Sequence, residues 1–414
     1  MDGIAQSDRD DLVRRVGSLS ERFVAAGWGF FVVGGVVRDL LLGKRSGDVD
    51  ITTDAHPEET ASILGDWGEA VWDQGARFGT IGARRGDVVV EVTTHRSEQY
   101  EQTSRKPQVK FSGAIEDDLA RRDFTVNSMA IELPSWRLVD PFNGREDLDQ
   151  GVLSTPLGPE TAFSEDPLRM LRAARFTAGY GLTPNQEVEN AIANIAERLA
   201  IVSKERINDE MSKFLMVERP GEGIALLQRT GLIKQIFPKA TKFEAIKPDV
   251  LDLVQPDLVI RWASLLWAVA GEADLARSLL RDLRVSKSIS SQVVGIVGAC
   301  QQLTQAVDVN PPSIRRLLHA VRPNTASAIA IVEGYGQAPS AEVLTAMHRL
   351  EAEEGTQNFE VPLNGFEVAE LIGKEGPDVG ATLRRLMEYR LDSGPLSKEE
   401  AIALVLDWGT MGQR

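Results

Sequence analysis

The stretch FVVGGVVRDLLLGKRSGDVDITTD, beginning at Phe31, restricts what this chain can fold into more than any other part of it. An apolar run typical of a buried strand stops at the pair Gly34 and Gly35. A helical pattern follows, with Gly43 near its C-terminal end, and then a short strand rich in β-branched residues. Gly34 and Gly35 let the backbone turn tightly and approach a ligand closely. A helix starting near Val36 would aim free N–H groups at that ligand, and Arg38, in its first turn, adds a fixed cation. Alternate side chains of a strand share a face, so Asp48 and Asp50 project together while Val49 turns to the core. Two carboxylates so placed repel unless a cation lies between them. Magnesium suits such a pair, because it takes oxygen ligands and keeps positions for water and substrate phosphates. The segment reads either as a triphosphate–magnesium site or as a plain strand–helix turn with a solvated strand end.

Further strand-like and helix-like pieces alternate up to about residue 150. HPEETASILGDWG has a helical pattern, DVVVEVTTH is strand-like, and WRLVDPFNGREDLDQGVLST reads as a hairpin-like connection. Beyond about residue 160 the β signals fade and helix follows helix, with breaks at KPDVLDLVQPD, DVNPPS and GQAPSAE. An α/β head followed by a long helical remainder is therefore expected. The length of 414 residues suits two to four domains.

Cys300 is the single cysteine, so neither an intrachain disulfide nor a cysteine metal site is possible, and the four histidines lack metal-ligand spacing. The first residues are polar and acidic and no apolar run approaches the roughly 20 residues of a membrane span, so a cytoplasmic protein is expected. A net charge of −15 argues against a nucleic-acid partner, unless local basic patches outweigh the total.

Two more segments carry chemistry. DDLARRDFTVNSMAIEL brings Arg121, Arg122, Asp123 and Asn127 together, and the arginine pair interrupts a segment that is apolar on both sides. In SEDPLRMLRAARF, Pro167 sits near a helix start, where proline is tolerated. Asp166, Arg169, Arg172 and Arg175 recur every third residue, a row that winds slowly round a helix. Asp166 beside Arg169 could offer an acceptor next to a donor, the pairing a nucleobase edge needs. The same row could equally be a ladder of ion pairs on an exposed helix.

Together these segments resemble the class II tRNA nucleotidyltransferases, the CCA-adding enzymes and their bacterial poly(A) polymerase relatives. GGVVRD…DVDITT, GARFGTIGARRGDVVVEVTTHR, RRDFTVNSMA, DPFNGREDL and EDPLRMLRAARF occur in family order over roughly residues 30–180, and looser similarity continues through ERINDEMSKFL towards the C-terminus. The resemblance implies an α+β chain with a polymerase-β-like nucleotidyltransferase head (1–150). An elongated all-helical part would follow: a neck with a nucleotide-reading helix (151–210), a body (211–330) and a tRNA-binding tail (331–414).

It also assigns roles. Asp48 and Asp50 would be catalytic and hold Mg2+. Gly35 and Arg38 would contact the nucleotide, and Arg121 or Arg122 its sugar or phosphates. Asp166, Arg169, Arg172 and Arg175 would read the base. Glu91 is the candidate third carboxylate. The implied reaction is attack of the tRNA 3′-hydroxyl on the α-phosphorus of CTP or ATP, releasing pyrophosphate. The carboxylate of Asp166 would then accept from the exocyclic amino group of cytosine or adenine. UTP and GTP present a carbonyl there and should be rejected.

Full CCA addition is favoured over CC-only, A-only or poly(A) addition, because EQTSRKPQVKFSGAIEDDLARRD keeps a full-length loop with Arg105, Lys106 and Lys110. A non-catalytic nucleotide- or RNA-binding protein is the alternative of a different class, and the retained aspartates and arginines argue against it. RWASLLWAVAGE lacks the His-Asp motif many bacterial relatives carry in the body, so no metal-dependent phosphohydrolase activity is expected. Lys204 with Arg206, Arg315 with Arg316, and Arg384 with Arg385 are the expected basic patches for RNA.

Overall fold

A computed structural model describes residues 4–44, 49–99, 108–355 and 359–411. The chain divides into two compact units, Met1–Pro238 and Lys239–Arg414. Asp48, Arg105 and Lys106 lie outside the described residues.

In the first unit the strands are β1 Phe31–Val33, β2 Val49–Thr53, β3 Ala70–Gly75, β4 Thr80–Arg85, β5 Val88–Thr94, β6 Arg96–Gln99, β7 Gln108–Phe111, β8 Ala130–Glu132 and β9 Arg137–Val139, with a separate parallel pair, β10 Val152–Leu153 and β11 Thr183–Pro184. Seven of them form one sheet in the order β3-β4-β5-β2-β1-β8-β9, and β6 pairs with β7 separately. Only β2 and β5 are parallel neighbours in that sheet; the other pairs are antiparallel. Central position explains the composition of β1: all three residues are buried, as expected of a strand covered on both faces. The helices are α1 Gln6–Ala25, α2 Gly35–Leu41, α3 Pro57–Trp67, α4 Ile115–Ala120, α5 Gly144–Gln150, α6 Pro159–Glu165, α7 Leu168–Tyr180, α8 Gln186–Ile195, α9 Lys204–Leu215, α10 Gly221–Arg229 and α11 Leu232–Ile236.

The expected hairpin-like connection after Trp136 is instead interrupted by α5. Asp140 is the reason: its carboxylate accepts from the backbone N–H groups of Gly144 (2.7 Å) and Arg145 (2.9 Å), which satisfies the start of the helix. Gly144 then passes so close to the segment after Asp123 that a Cβ there would lie 2.1 Å from the carbonyl oxygen of Thr125. The Thr125 hydroxyl donates to Asp147 of α5 at 2.5 Å. The DPFNGREDL motif is therefore a clamp that holds the arginine-bearing segment in place.

The helical pattern around Pro167 also divides. α6 ends at Glu165, Asp166 is extended (φ −133°, ψ 97°), and Pro167 opens α7. An extended residue before proline follows from the clash of the proline ring with the preceding residue.

The second unit is helical among its described residues: α12 Pro248–Leu253, α13 Leu258–Ala270, α14 Ala273–Asp282, α15 Lys287–Gln305, α16 Pro311–Val321, α17 Thr325–Gly334, α18 Ala341–Glu354, α19 Gly365–Ile372, α20 Pro377–Ser393 and α21 Lys398–Met411. Trp262, Leu265 and Leu266 of α13 are fully buried in its core. One expected RNA patch is corrected here. Arg315 is 8% exposed and donates to Glu354 and to the carbonyls of Leu391 and Asp392, while Arg316 pairs with Glu388 and Asp392. No helix among the described residues is long and apolar enough to cross a membrane.

Gly144→Ala is expected to destabilise the chain by about 2 kcal/mol or more, because the clash is with backbone and not with a movable side chain. Gly65→Ala within α3, where an added Cβ meets nothing within 4 Å, should be neutral or stabilising by up to about 1 kcal/mol. Urea unfolding of the two variants measures the contrast.

Candidate active site

Sheet register builds the first part of the site. Val49 is buried and Asp50 exposed, the alternation expected of this strand. Asp50 lies directly beside Glu91 of the parallel strand β5, so the two carboxylates share a face. On its other side β2 pairs with β1, Ile51 opposite Val32, which puts Asp50 next to the end of β1 that leads into Gly34. Gly34 adopts φ +74°, and a Cβ there would lie 2.7 Å from Nη1 of Arg122. The guanidinium of Arg122 thus rests against the glycine turn, and Gly34 is required both by conformation and by this close approach. Gly35 is the first residue of α2, and Arg38 lies in the middle of that seven-residue helix.

Arg38 is 5% exposed. Its Nη1 donates to Asn127 Oδ1 at 2.6 Å, its Nη2 to the Tyr180 hydroxyl at 2.5 Å, and both Nε and Nη2 donate to Asp39. The guanidinium also stacks 3.9 Å from the centre of the Tyr180 ring. Protein partners occupy it, so contact with a nucleotide would require an exchange of partners.

Two buried carboxylates anchor the arginine-bearing segment. Asp118, within α4, accepts from Arg121 (2.6 Å) and from Arg122 (3.2 Å). Burial opposes its ionisation, but the two guanidinium groups prevail and hold its pKa below the usual carboxylate value. One carboxylate beneath two arginines leaves a positive surplus facing outward. Asp123 accepts from the Asn127 amide (2.9 Å) and the Phe124 N–H (2.9 Å) through one oxygen, and from Arg172 (2.6 and 2.8 Å) through the other. Burial again opposes ionisation, and the charge of Arg172 with these hydrogen bonds lowers its pKa to about 2.

Arg121, Arg122, Asp166, Arg169 and Arg172 line one cleft of about 390 Å³, together with Asp123, Leu168, Arg206, Asp209, Glu210 and Lys213. Six cationic side chains face four carboxylates there, in a chain that is acidic as a whole. Asp166 accepts from Arg206 (2.7 Å) and from the Leu168 N–H (3.2 Å). Arg169 donates to the Arg121 carbonyl at 2.5 Å and to the Ala162 carbonyl at 3.3 Å. Arg175 does not line the cleft; it donates to Glu210 at 2.5 Å and fixes that carboxylate.

Arg206 is therefore a cleft residue tied to Asp166 and not part of an open RNA patch. Sequence reading also missed Asp209, Glu210, Lys213 and Tyr180. The signal for the first three was available in ERINDEMSKFL, where charges at Arg206, Asp209, Glu210 and Lys213 recur at three- to four-residue spacing on one helix.

A mixed sheet with paired carboxylates beside a glycine turn, against which Arg122 rests, is the arrangement of a nucleotidyltransferase head. Residues 30–154 match the Poly A polymerase head domain family, and residues 181–244 match the family described as the probable RNA and SrmB-binding site of polymerase A. A CCA-adding enzyme of Lactiplantibacillus plantarum is 31% identical over 376 residues, covering 89% of each chain. One of Geobacillus kaustophilus is 31% identical over 387 residues, 91% of this chain and 92% of the relative. Among solved structures, the Bacillus stearothermophilus CCA-adding enzyme in complex with CTP superposes with a TM-score of 0.73 at 28% identity, covering 97% of this chain and 98% of that one. The chain belongs to the CCA-adding enzyme family and is a nucleotidyltransferase.

Asp123→Asn leaves the partly exposed Arg172 guanidinium short of a charge and is expected to cost about 2 kcal/mol at neutral pH. The native carboxylate has a depressed pKa, so its contribution is full above the ordinary value of 3.8 and is lost as pH falls towards about 2. The stability gap between wild type and variant should therefore narrow between pH 6 and pH 3. Denaturant unfolding at the two pH values tests the sign.

Proposed function

We propose that this chain adds C, C and A to the 3′ end of tRNA from CTP and ATP, without a nucleic-acid template and with release of pyrophosphate. The observation that carries this reading is that Asp166 and Arg169, an acceptor beside a donor, line the same cleft as Arg121, Arg122 and Arg172. A base edge and a triphosphate need these two chemistries side by side. Cytosine and adenine each present an amino group next to a ring acceptor, which suits Asp166 and Arg169 in turn. Arg121 and Arg122 face the negative charge of the phosphates, and Gly35 gives the backbone room at the turn.

Asp50 and Glu91, adjacent on one sheet face, fit a divalent cation by donor chemistry, since hard oxygen ligands suit magnesium, and Asp48 would complete the set. When bound, such an ion stabilises the attacking and leaving oxygens of an in-line displacement. In this reading residues 1–150 form the catalytic head, 151–210 the neck, 211–330 the body and 331–414 the tail, and the protein works in the cytoplasm. Arg172 and Arg175 support base reading by holding Asp123 and Glu210.

The test is incubation of a tRNA lacking its terminal CCA with CTP and ATP together, followed by sequencing of the new 3′ ends. Complete CCA ends are expected; long A tails or bare CC ends would redefine the product. Asp50→Ala should reduce CTP incorporation by more than about a hundredfold, since loss of supporting partners alone costs metal sites up to that factor. Asp166→Asn places an amide that donates as well as accepts, so UTP incorporation should rise relative to CTP.

A further inference from the structure

The GARFGT motif forms the turn from β3 into β4, on the far side of β5 from the glycine turn. Register continues the row of carboxylates in that direction. Asp50 lies beside Glu91, Glu91 opposite Gly82 of β4, and Gly82 opposite Trp72 of β3. Directly opposed residues share a face, so one row crosses four strands as Asp50, Glu91, Gly82 and Trp72. By strand spacing, the backbone of Gly82 is about 5 Å from that of Glu91 and about 10 Å from that of Asp50. A Cβ on Gly82 would lie 2.1 Å from Nε1 and Cε2 of Trp72. The indole therefore lies over Gly82, leaning from the sheet edge towards Glu91, and only glycine leaves it room there.

A cavity of about 420 Å³ opens on this row, and it shares no lining residue with the arginine cleft. Trp72 and Phe78 give it aromatic walls, and Glu91 gives it an acidic side. Gln74, Thr80 and Arg96 supply polar groups, and Gly75 and Gly82 complete the lining. Trp72 is half-buried and Phe78 is 39% exposed. Arg96 donates to the Phe78 carbonyl, and the Arg77 guanidinium stands 4.6 Å from the centre of the Phe78 ring, so the turn is held from two sides. The other face of these strands is spent on the core, where Ile81, Ala83, Val90 and Val92 are buried.

We propose that the Trp72 indole is the stacking platform for the base of the 3′-terminal nucleotide of the tRNA, the nucleotide whose hydroxyl attacks. The assignment rests on the tRNA-extension reading above and deepens it by one binding residue. In-line displacement puts the attacking and leaving oxygens on opposite sides of the α-phosphorus. Arg122 rests against the glycine turn, on the β1 side of Asp50, and there faces the triphosphate. The attacking strand then arrives from the β5 side, where Trp72 lies in the same row. Stacking also meets a demand of the reaction. The terminal base changes as the end grows, and an aromatic face accepts any base, whereas a hydrogen-bonding slot selects one. The competing explanation is that Trp72 only covers a glycine near the sheet edge. That account predicts a lower melting temperature and no dependence on the terminal base.

The test measures CTP incorporation by the full-length chain into two tRNAs that end before the CCA. One is intact, and the other keeps its terminal ribose and 3′-hydroxyl but lacks the terminal base. Wild-type kcat/KM should fall about tenfold on the abasic tRNA, the worth of one stacked base. Trp72→Ala should lose about tenfold on the intact tRNA but less than about twofold more on the abasic one, because the two deletions remove the same contact. The KM for CTP should not change. Trp72→Leu keeps an apolar cover over Gly82 without an aromatic face; it should match Trp72→Ala in kinetics while melting near wild type. Trp72→Phe should keep most of the activity and the abasic penalty. An abasic penalty in Trp72→Leu equal to that of wild type, or no penalty in wild type, would overturn the platform and leave the tRNA reading standing. Failure of the wild type to extend either tRNA would remove both.

Discussion

A closed ring of polar contacts fixes the geometry of the first unit. Arg172 on α7 donates to Asp123, Asp123 accepts from Asn127, and Asn127 accepts from Arg38 on α2. Arg38 then donates to Tyr180, at the end of the same helix α7. Three of the links, Arg172–Asp123, Arg38–Asn127 and Arg38–Tyr180, join residues distant in sequence, and the ring ties the glycine turn, the arginine-bearing segment and α7 to one another. Every member carries a polar group that burial would penalise if it were left unpaired. Loss of one link therefore strands its neighbours, and the cost is collective. The ring explains why Arg38 is buried although it follows the phosphate-like turn. Its charge serves the joint, and the cations that open on the cleft are supplied from elsewhere.

Charge is distributed to the same end. Asp118 and Asp123 lie beneath the cleft wall and stay ionised against their burial because the arginines prevail. Each guanidinium is thereby oriented before a ligand arrives. The long-range field of an acidic chain is damped within roughly 10 Å at moderate salt. What a triphosphate meets at contact distance is the local surplus of cationic side chains. An acidic protein with a basic cleft is consistent with an enzyme that must release a polyanionic product, since wide non-specific attraction would slow that release.

The parts legible in sequence were those whose determinants are local. The β1–turn–α2–β2 path, the alternation at Val49 and Asp50, the helix start near Pro167 and the adjacency of Asp166 and Arg169 all follow from residues a few positions apart. The helix α5 was not legible, because it starts on an Asp140 cap and on contact with Thr125, which hairpin-like turn residues conceal. Burial of Arg38 and Arg315 was also invisible. Arg38 finds its partners 89 and 142 residues away, and Arg315 finds its own 39 and 76 residues away. A charged pair in a sequence looks the same whether it faces water or a distant carboxylate, and only the fold decides.

Base selection without a template sets the most stringent demand on the site. A carboxylate offers about four acceptor positions, and a guanidinium five donors. In Asp166 one oxygen is held by Arg206 and the other by the Leu168 N–H, which orients the group and leaves acceptor positions open. Arg169 is held by the carbonyls of Ala162 and Arg121, again with donors to spare. Both groups are thus pinned from behind and open in front. A loose carboxylate could swing away from the carbonyl of uracil and tolerate it. A pinned one must accept an unpaired contact in a cleft, and that cost is what turns a hydrogen-bond preference into discrimination. Arg206 of α9 supplies one of these holds, so in the proposed reading a residue that touches no base still sets how strictly the base is judged.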